Sequence, residues 1–259
     1  MKSDLNISLV QTALVWENAA ENLAAFERKI EKLDSNTDLI VLPEMFTTGF
    51  SMKPEQFAEE HLGPSFQQMQ KWAKQKQAAV YGSLIITVNE KYFNRAYFVF
   101  PDGSFQYYDK RHLFRMAKED EHYSDGSERQ IIEYKGWKIL PLICYDLRFP
   151  IWSRNDLNYD LILYVANWPE RRSAPWRTLL RARAIENLSF VVGVNRIGED
   201  GNGIDHSGDS ALIDFKGDEL SHIQAHAEEI ETLKLDAEAL ADFREKFPAH
   251  LDADRFEIH

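Results

Sequence analysis

The stretch from Trp137 to Pro150, WKILPLICYDLRFP, joins a strand-like run to the single cysteine of the chain. Ile139 to Ile143 is a short apolar run with the length of a buried strand. It ends at that cysteine, Cys144, and leads into the polar turn Tyr145-Asp146-Leu147-Arg148 and then Phe149-Pro150. Proline is well tolerated in the first turn of a helix, so Pro150 is expected to open one. A cysteine between strand and helix can face a crevice, with the following backbone N–H groups aimed at a developing oxyanion. A lone cysteine is more often a buried structural thiol, so the rest of the chain has to decide between the two.

Upstream, Leu5 to Thr12 reads as a first strand, and Asn18 to Leu33 as a helix with Leu23, Phe26, Ile30 and Leu33 on one face. Asp38 to Pro43 (DLIVLP) is a continuous apolar run suited to a strand buried on both faces, and it ends in Glu44. Pro64 to Gln77 is a second amphipathic helix, with Phe66, Met69, Trp72 and Ala73 inward. Ala78 to Val88 and Tyr92 to Phe100 form a strand pair, and Ser104 to Tyr108 follows the Pro101-Asp102-Gly103 turn. Asp109 to Gly126 is a long charged loop, of a length usually functional or disordered.

Downstream, the chain repeats this order. Asp160 to Ala166 is a buried strand, Ala174 to Leu188 a helix, and Ser189 to Asn195 a strand. Gly198 to Gly208 is a Gly-rich loop. Asp209 to Phe215 and Glu219 to Ile223 form a last strand pair, and Asp236 to Lys246 a last helix. Two halves of strand, helix and buried strand predict an α/β sandwich of two sheets with helices outside, as one domain over residues 1–259. No G-x-G-x-x-G follows a first strand, which disfavours an open Rossmann-type sheet.

The formal net charge of −12 argues against nucleic-acid binding. The acids near the C-terminus, such as Glu228-Glu229, read as a solubilising face. No window approaches the roughly 18 apolar residues of a membrane span. The first residues lack a signal-peptide pattern, and a single cysteine excludes an internal disulfide framework, so the expected location is the cytoplasm.

Glu44, Lys110 and Cys144 all stand at or just beyond strand ends. Each alone is weak, since such Glu and Lys residues are mostly solvated. Together they are what a thiol amidase needs: a carboxylate to move the thiol proton, a cation beside the oxyanion and a sulfur nucleophile. VLPEMFTTGF, DKRHLF and LPLICYDLRFP closely resemble the three signature segments of the nitrilase superfamily of carbon–nitrogen hydrolases. ANWPERRSAPW and LLRARAIENLSFVVGVNRIG resemble its downstream segments, and several of these strings look most like its omega-amidase branch. That branch hydrolyses 2-oxoglutaramate and 2-oxosuccinamate.

The resemblance implies a four-layer αββα sandwich, commonly dimeric, with neither metal nor organic cofactor. It implies Glu44 as general base, Lys110 as oxyanion-stabilising cation and Cys144 as nucleophile. A second glutamate is also implied in the loop before Gly126, where Glu119 matches best and Glu121 competes. Arg148, four residues after the cysteine, is the candidate reader of a substrate carboxylate, with Trp168 as an apolar wall and Tyr145 as a further substrate contact. Pairing of Arg148 with Asp146 is the alternative. His112 and His122 lack metal-ligand spacing, Asp209-Ser210 lacks a G-x-S-x-G elbow, and Arg181, Arg183 and Glu186 are spaced for one helix face, where an ion-pair role in packing competes with a substrate role. The expected partner is a small amide. The competing readings are another amidase or a carbamoylase of the superfamily, or a non-catalytic scaffold.

Overall fold

The computed structural model describes residues 2–254, 256 and 257. Two sheets carry it. The first runs, in spatial order, Glu229–Leu235, Leu5–Gln11, Leu39–Val41, Ala79–Val88, Lys91–Val99 and Phe105–Asp109, with the short Glu59–Glu60 also paired to Ala79–Val88. The second runs Ala211–Ile213, Phe190–Asn195, Leu161–Ala166, Trp137–Ile143 and Ile132–Tyr134. In each sheet three central strands are parallel and the outer ones antiparallel, except the short Glu59–Glu60, which pairs in parallel.

The apolar runs are split by the period of two that a strand imposes. Ile7 and Leu9, Leu39 and Val41, and Ala79 and Tyr81 enter the core between the sheets, whereas Val10, Ile40, Leu42 and Val80 pack under the helices. Helices Ala19–Glu31 and Pro64–Lys76 cover the outer face of the first sheet through Phe26, Ile30, Phe66, Met69 and Trp72. Helix Ser173–Asn187 covers the second sheet through Trp176, Leu180 and Ala184. It lies so close to strand Phe190–Asn195 that a Cβ at Gly193 would sit 2.6 Å from a Leu180 methyl and 2.8 Å from the Trp176 ring. The layers are therefore αββα, as expected.

Four expectations need correction. Pro150 opens no helix: Cys144–Arg148 already forms a 3₁₀ turn, and residues 150–153 only turn the chain back toward Leu161–Ala166. The Gly-rich loop is mostly a two-stranded ribbon, Ile197–Glu199 with Asp205–Ser207, closed by Asp200 accepting the N–H groups of Asn202 and Ile204. The acidic segment near the C-terminus holds a strand, Glu229–Leu235, which pairs antiparallel with Leu5–Gln11 along seven positions. The expected strand at Glu219 to Ile223 is reduced to one bridge between Glu219 and Ile213.

Candidate active site

Glu44 follows strand Leu39–Val41, and Lys110 follows Phe105–Asp109, both of the first sheet; Cys144 follows Trp137–Ile143 of the second. Sandwich packing brings these strand ends together. Cys144 itself has φ 42°, a left-handed conformation that costs a non-glycine residue roughly 1–2 kcal/mol. Asp146 holds this elbow. One of its oxygens accepts from the Ile143 N–H (3.0 Å) and the Tyr108 hydroxyl (2.8 Å); the other accepts from the His112 N–H (3.0 Å) and contacts His112 Nδ1 (2.7 Å). Behind the turn, Arg183 donates to the Leu147 carbonyl (2.7 Å) and pairs with Glu186 (3.0 Å). The loop carrying Lys110 is clamped at Gly126, where a Cβ would lie 2.2 Å from the Asp109 carbonyl oxygen.

Glu44, Lys110 and Glu119 are almost wholly buried. Lys110 Nζ donates to Glu44 Oε1 at 3.0 Å and to both Glu119 oxygens at 2.9 and 3.0 Å. Glu44 Oε1 also accepts from Asn94 Nδ2 (2.7 Å), and Oε2 from the Asn167 N–H (2.8 Å). Asn167 Nδ2 donates to the Glu44 carbonyl (2.6 Å), and Glu119 Oε2 accepts from the Phe114 N–H (2.6 Å). Glu121 lies outside this cluster, exposed beside Lys118 (3.4 Å). Burial alone would lower the Lys110 pKa, but the charges of Glu119 and Glu44 outweigh it and hold the ammonium protonated. The Cys144 thiol is pushed well up, first by burial and then by the charge of Glu44, with Lys110 opposing. Burial also raises Glu119, against the pull of Lys110. The thiol thus rests protonated, next to a fixed carboxylate and a fixed cation.

Cys144 and Lys110 form the floor of a cavity of about 290 Å³. Tyr145, Arg148 and Trp168 line it, together with Phe50, Phe114 and Arg172. The Arg148 guanidinium lies 5.1 Å over the Trp168 ring, and the Tyr145 ring packs edge-on to Phe114. Arg148 does not serve Asp146, whose oxygens are taken by the partners above. His112 stacks on Phe149 at 3.7 Å, His122 is exposed, and Ser210 bonds to the Asn195 backbone. Among the described residues, no group of three or more His, Cys, Asp or Glu could hold a metal ion. Sequence reading missed Asn94, Asn167 and Arg172, which carry no distinctive spacing, and it weighed Asp146 only as a partner of Arg148 and not as the clamp of the elbow.

The carbon–nitrogen hydrolase family model matches residues 6–245. The chain belongs to this family. Among carbon–nitrogen hydrolases, it is 47% identical to the omega-amidase YafV of Escherichia coli (strain K12) across 98% of each chain. It is 34% identical to the 2-oxoglutaramate amidase of Bacillus subtilis (strain 168), across 95% of this chain and 96% of that one. It also superimposes on a solved carbon–nitrogen hydrolase superfamily protein of Xanthomonas campestris, which carries an arsenic adduct in its active site. That match has a TM-score of 0.97 and 45% identity, and covers 99% of this chain and 100% of that one. The chain is an amide-hydrolysing enzyme of this carbon–nitrogen hydrolase family, with a nitrilase-type αββα fold.

Proposed function

We propose that the chain is an omega-amidase that converts small ω-amido 2-oxo acids, such as 2-oxoglutaramate and 2-oxosuccinamate, to the dicarboxylate and ammonia. The observation that carries this reading is the cavity itself. Its buried lining holds a protonated thiol beside a Glu–Lys–Glu cluster, and its more exposed lining holds the guanidinium groups of Arg148 and Arg172. The named activities of the two amidases above support it.

In this mechanism, Cys144 Sγ attacks the amide carbon while Glu44 accepts the thiol proton. Because the free thiolate is disfavoured, transfer and attack occur together. The Lys110 ammonium stabilises the oxyanion, and Glu119 holds that ammonium in place. Collapse breaks the C–N bond as Glu44 returns the proton to the departing nitrogen, giving ammonia and a thioester. Glu44 then takes a proton from the water that attacks the thioester carbon, and returns it to the sulfur as the C–S bond breaks, so Cys144 leaves as the thiol and Glu44 is a carboxylate again. Arg148 binds the far carboxylate by its guanidinium fork, and Trp168 and Tyr145 flank the methylenes.

Ammonia release across a panel of ω-amides, N-carbamoyl compounds and neutral amides tests the reading. Preference for 2-oxo acid amides is expected. Preference for a carbamoyl or neutral substrate would replace it, and no release from any would favour a scaffold. We further propose a single-domain homodimer in the cytoplasm; the continuous core between the sheets supports the single domain, and sedimentation velocity tests the dimer.

A further inference from the structure

This chain carries a net charge of −12, yet its cavity gathers Arg148, Arg171 and Arg172 around one mouth. Arg171 is exposed and screened, but Arg172 is not. No carboxylate among the described residues forms an ion pair with Arg148 or Arg172. Asp200, an acid that also lines the cavity, accepts through Oδ1 from two backbone N–H groups of its own hairpin turn and forms no ion pair with either arginine. Among the described residues, Arg172 Nη1 is buried without a hydrogen-bond partner, and Nη2 meets the Met116 sulfur at 2.9 Å. Its guanidinium lies 5.4 Å over the Phe114 ring. Trp168 Nε1 donates to the Arg172 carbonyl (2.7 Å), which fastens the Arg172 backbone to the ring that carries Arg148. Burial, and then the charges of Arg171 and Arg148, pull Arg172 below its ordinary pKa, as expected of cations gathered without an anion. Guanidinium groups left unpaired in a partly dry pocket are a receptor for an anion that arrives from outside.

We propose that Arg172 is a specificity-determining residue: with Arg148 it makes a two-guanidinium receptor for the carboxylate and 2-oxo oxygens of the substrate, and it excludes the 2-amino acid amides. Glutamine and 2-oxoglutaramate share their length and amide. They differ where an α-ammonium replaces a carbonyl oxygen, and a second fixed cation attracts one and repels the other. The assignment rests on the omega-amidase reading for the identity of the anion, but not for the charge preference.

The test compares wild type with Arg172→Met and Arg172→Lys on 2-oxoglutaramate, glutamine, glutaramate and a neutral amide of similar length. Arg172→Met is expected to raise KM for 2-oxoglutaramate at least tenfold with kcat within a few-fold. It should also raise the ratio of glutamine to 2-oxoglutaramate kcat/KM at least tenfold, and leave the neutral amide within about threefold. Arg172→Lys should fall between, keeping the charge and losing the fork. Equal losses on all four substrates, or an unchanged glutamine ratio, would overturn the proposal, and equal melting temperatures would exclude misfolding. If wild type ignores 2-oxoglutaramate, the omega-amidase reading fails. The comparison of glutaramate with the neutral amide still tests Arg172, because removing a carboxylate-binding cation lowers only the former.

Discussion

The two ends of the cavity handle charge in opposite ways. At the floor, every charge has a partner: Lys110 is held by Glu44 and Glu119, and Glu44 is held again by Asn94 and Asn167. At the mouth, Arg148 and Arg172 have aromatic neighbours and no carboxylate partner among the described residues. A buried charge without a partner is expensive, so the floor can stay dry only because it is internally balanced. The mouth is partly open, so its cations can wait for a ligand. The paired end suits chemistry, which needs fixed groups, and the unpaired end suits selection, which needs groups left free.

The comparison can be broken most forcefully at the sulfur. Cys144→Ala should abolish ammonia release on every substrate while the melting temperature stays near wild type, since the loss of one sulfur is a small packing change. Residual turnover by a folded Cys144→Ala protein would remove the thiol from the mechanism.

Loss of a floor charge should come next, again regardless of substrate. Glu44→Gln and Glu119→Gln should each lower kcat by about two or more orders of magnitude, and Glu44→Gln should accumulate a thioester visible by mass spectrometry. Lys110→Ala should in addition cost about 3–5 kcal/mol in denaturant unfolding, because it strands two buried carboxylates. Glu121→Gln, at the surface, should behave as wild type, and a severe defect there would undo the assignment of Glu119.

At the mouth the defect should depend on the substrate. Arg148→Lys should raise KM for 2-oxoglutaramate about tenfold or more, the scale of a lost charge-assisted hydrogen bond of about 1.5–3 kcal/mol, and hardly change a neutral amide. A uniform defect would mean that Arg148 supports Trp168 and does not read a carboxylate.

The smallest effect concerns stability. His206, on the ribbon that walls the mouth, is held neutral: burial and then the charge of Arg196 lower its pKa from 6.5 to about 4. The unfolded chain takes up a proton near pH 6.5 and the folded chain does not until about pH 4. Stability linked to His206 is therefore complete above that range and is lost as the pH falls through it. Between pH 7 and pH 5 the loss should be about 2 kcal/mol at most. His206→Asn should shrink the difference in denaturant midpoint between those two pH values; an unchanged difference would show that His206 is charged in the fold.

Local signals were sufficient where the reason for a feature lay within a few residues. Strands ending in Glu44 and Cys144, and the helix face of Phe66, Met69, Trp72 and Ala73, follow from apolar runs and spacings. The strand Glu229–Leu235 did not, because EIETLKL carries three charges in seven residues and becomes a strand only beside the edge of Leu5–Gln11, more than two hundred residues away. Pro150 misled in the opposite direction: it permits a helix, but the 3₁₀ turn before it and the short return to the next strand leave none.

By itself the sequence determined the order of the central strands and the long helices, the family resemblance and the three strand-end residues Glu44, Lys110 and Cys144, because these depend on patterns local in the chain. Tertiary structure alone decided that Glu119, and not Glu121, touches Lys110. Lys118, with φ 59°, turns the chain so that Glu119 enters the core and Glu121 faces solvent. It also decided that Asp146 serves His112 and Tyr108, which leaves Arg148 without a carboxylate partner among the described residues. Side-chain partners are set by which surfaces the packed sheets press together, and that depends on contacts between residues far apart in the chain.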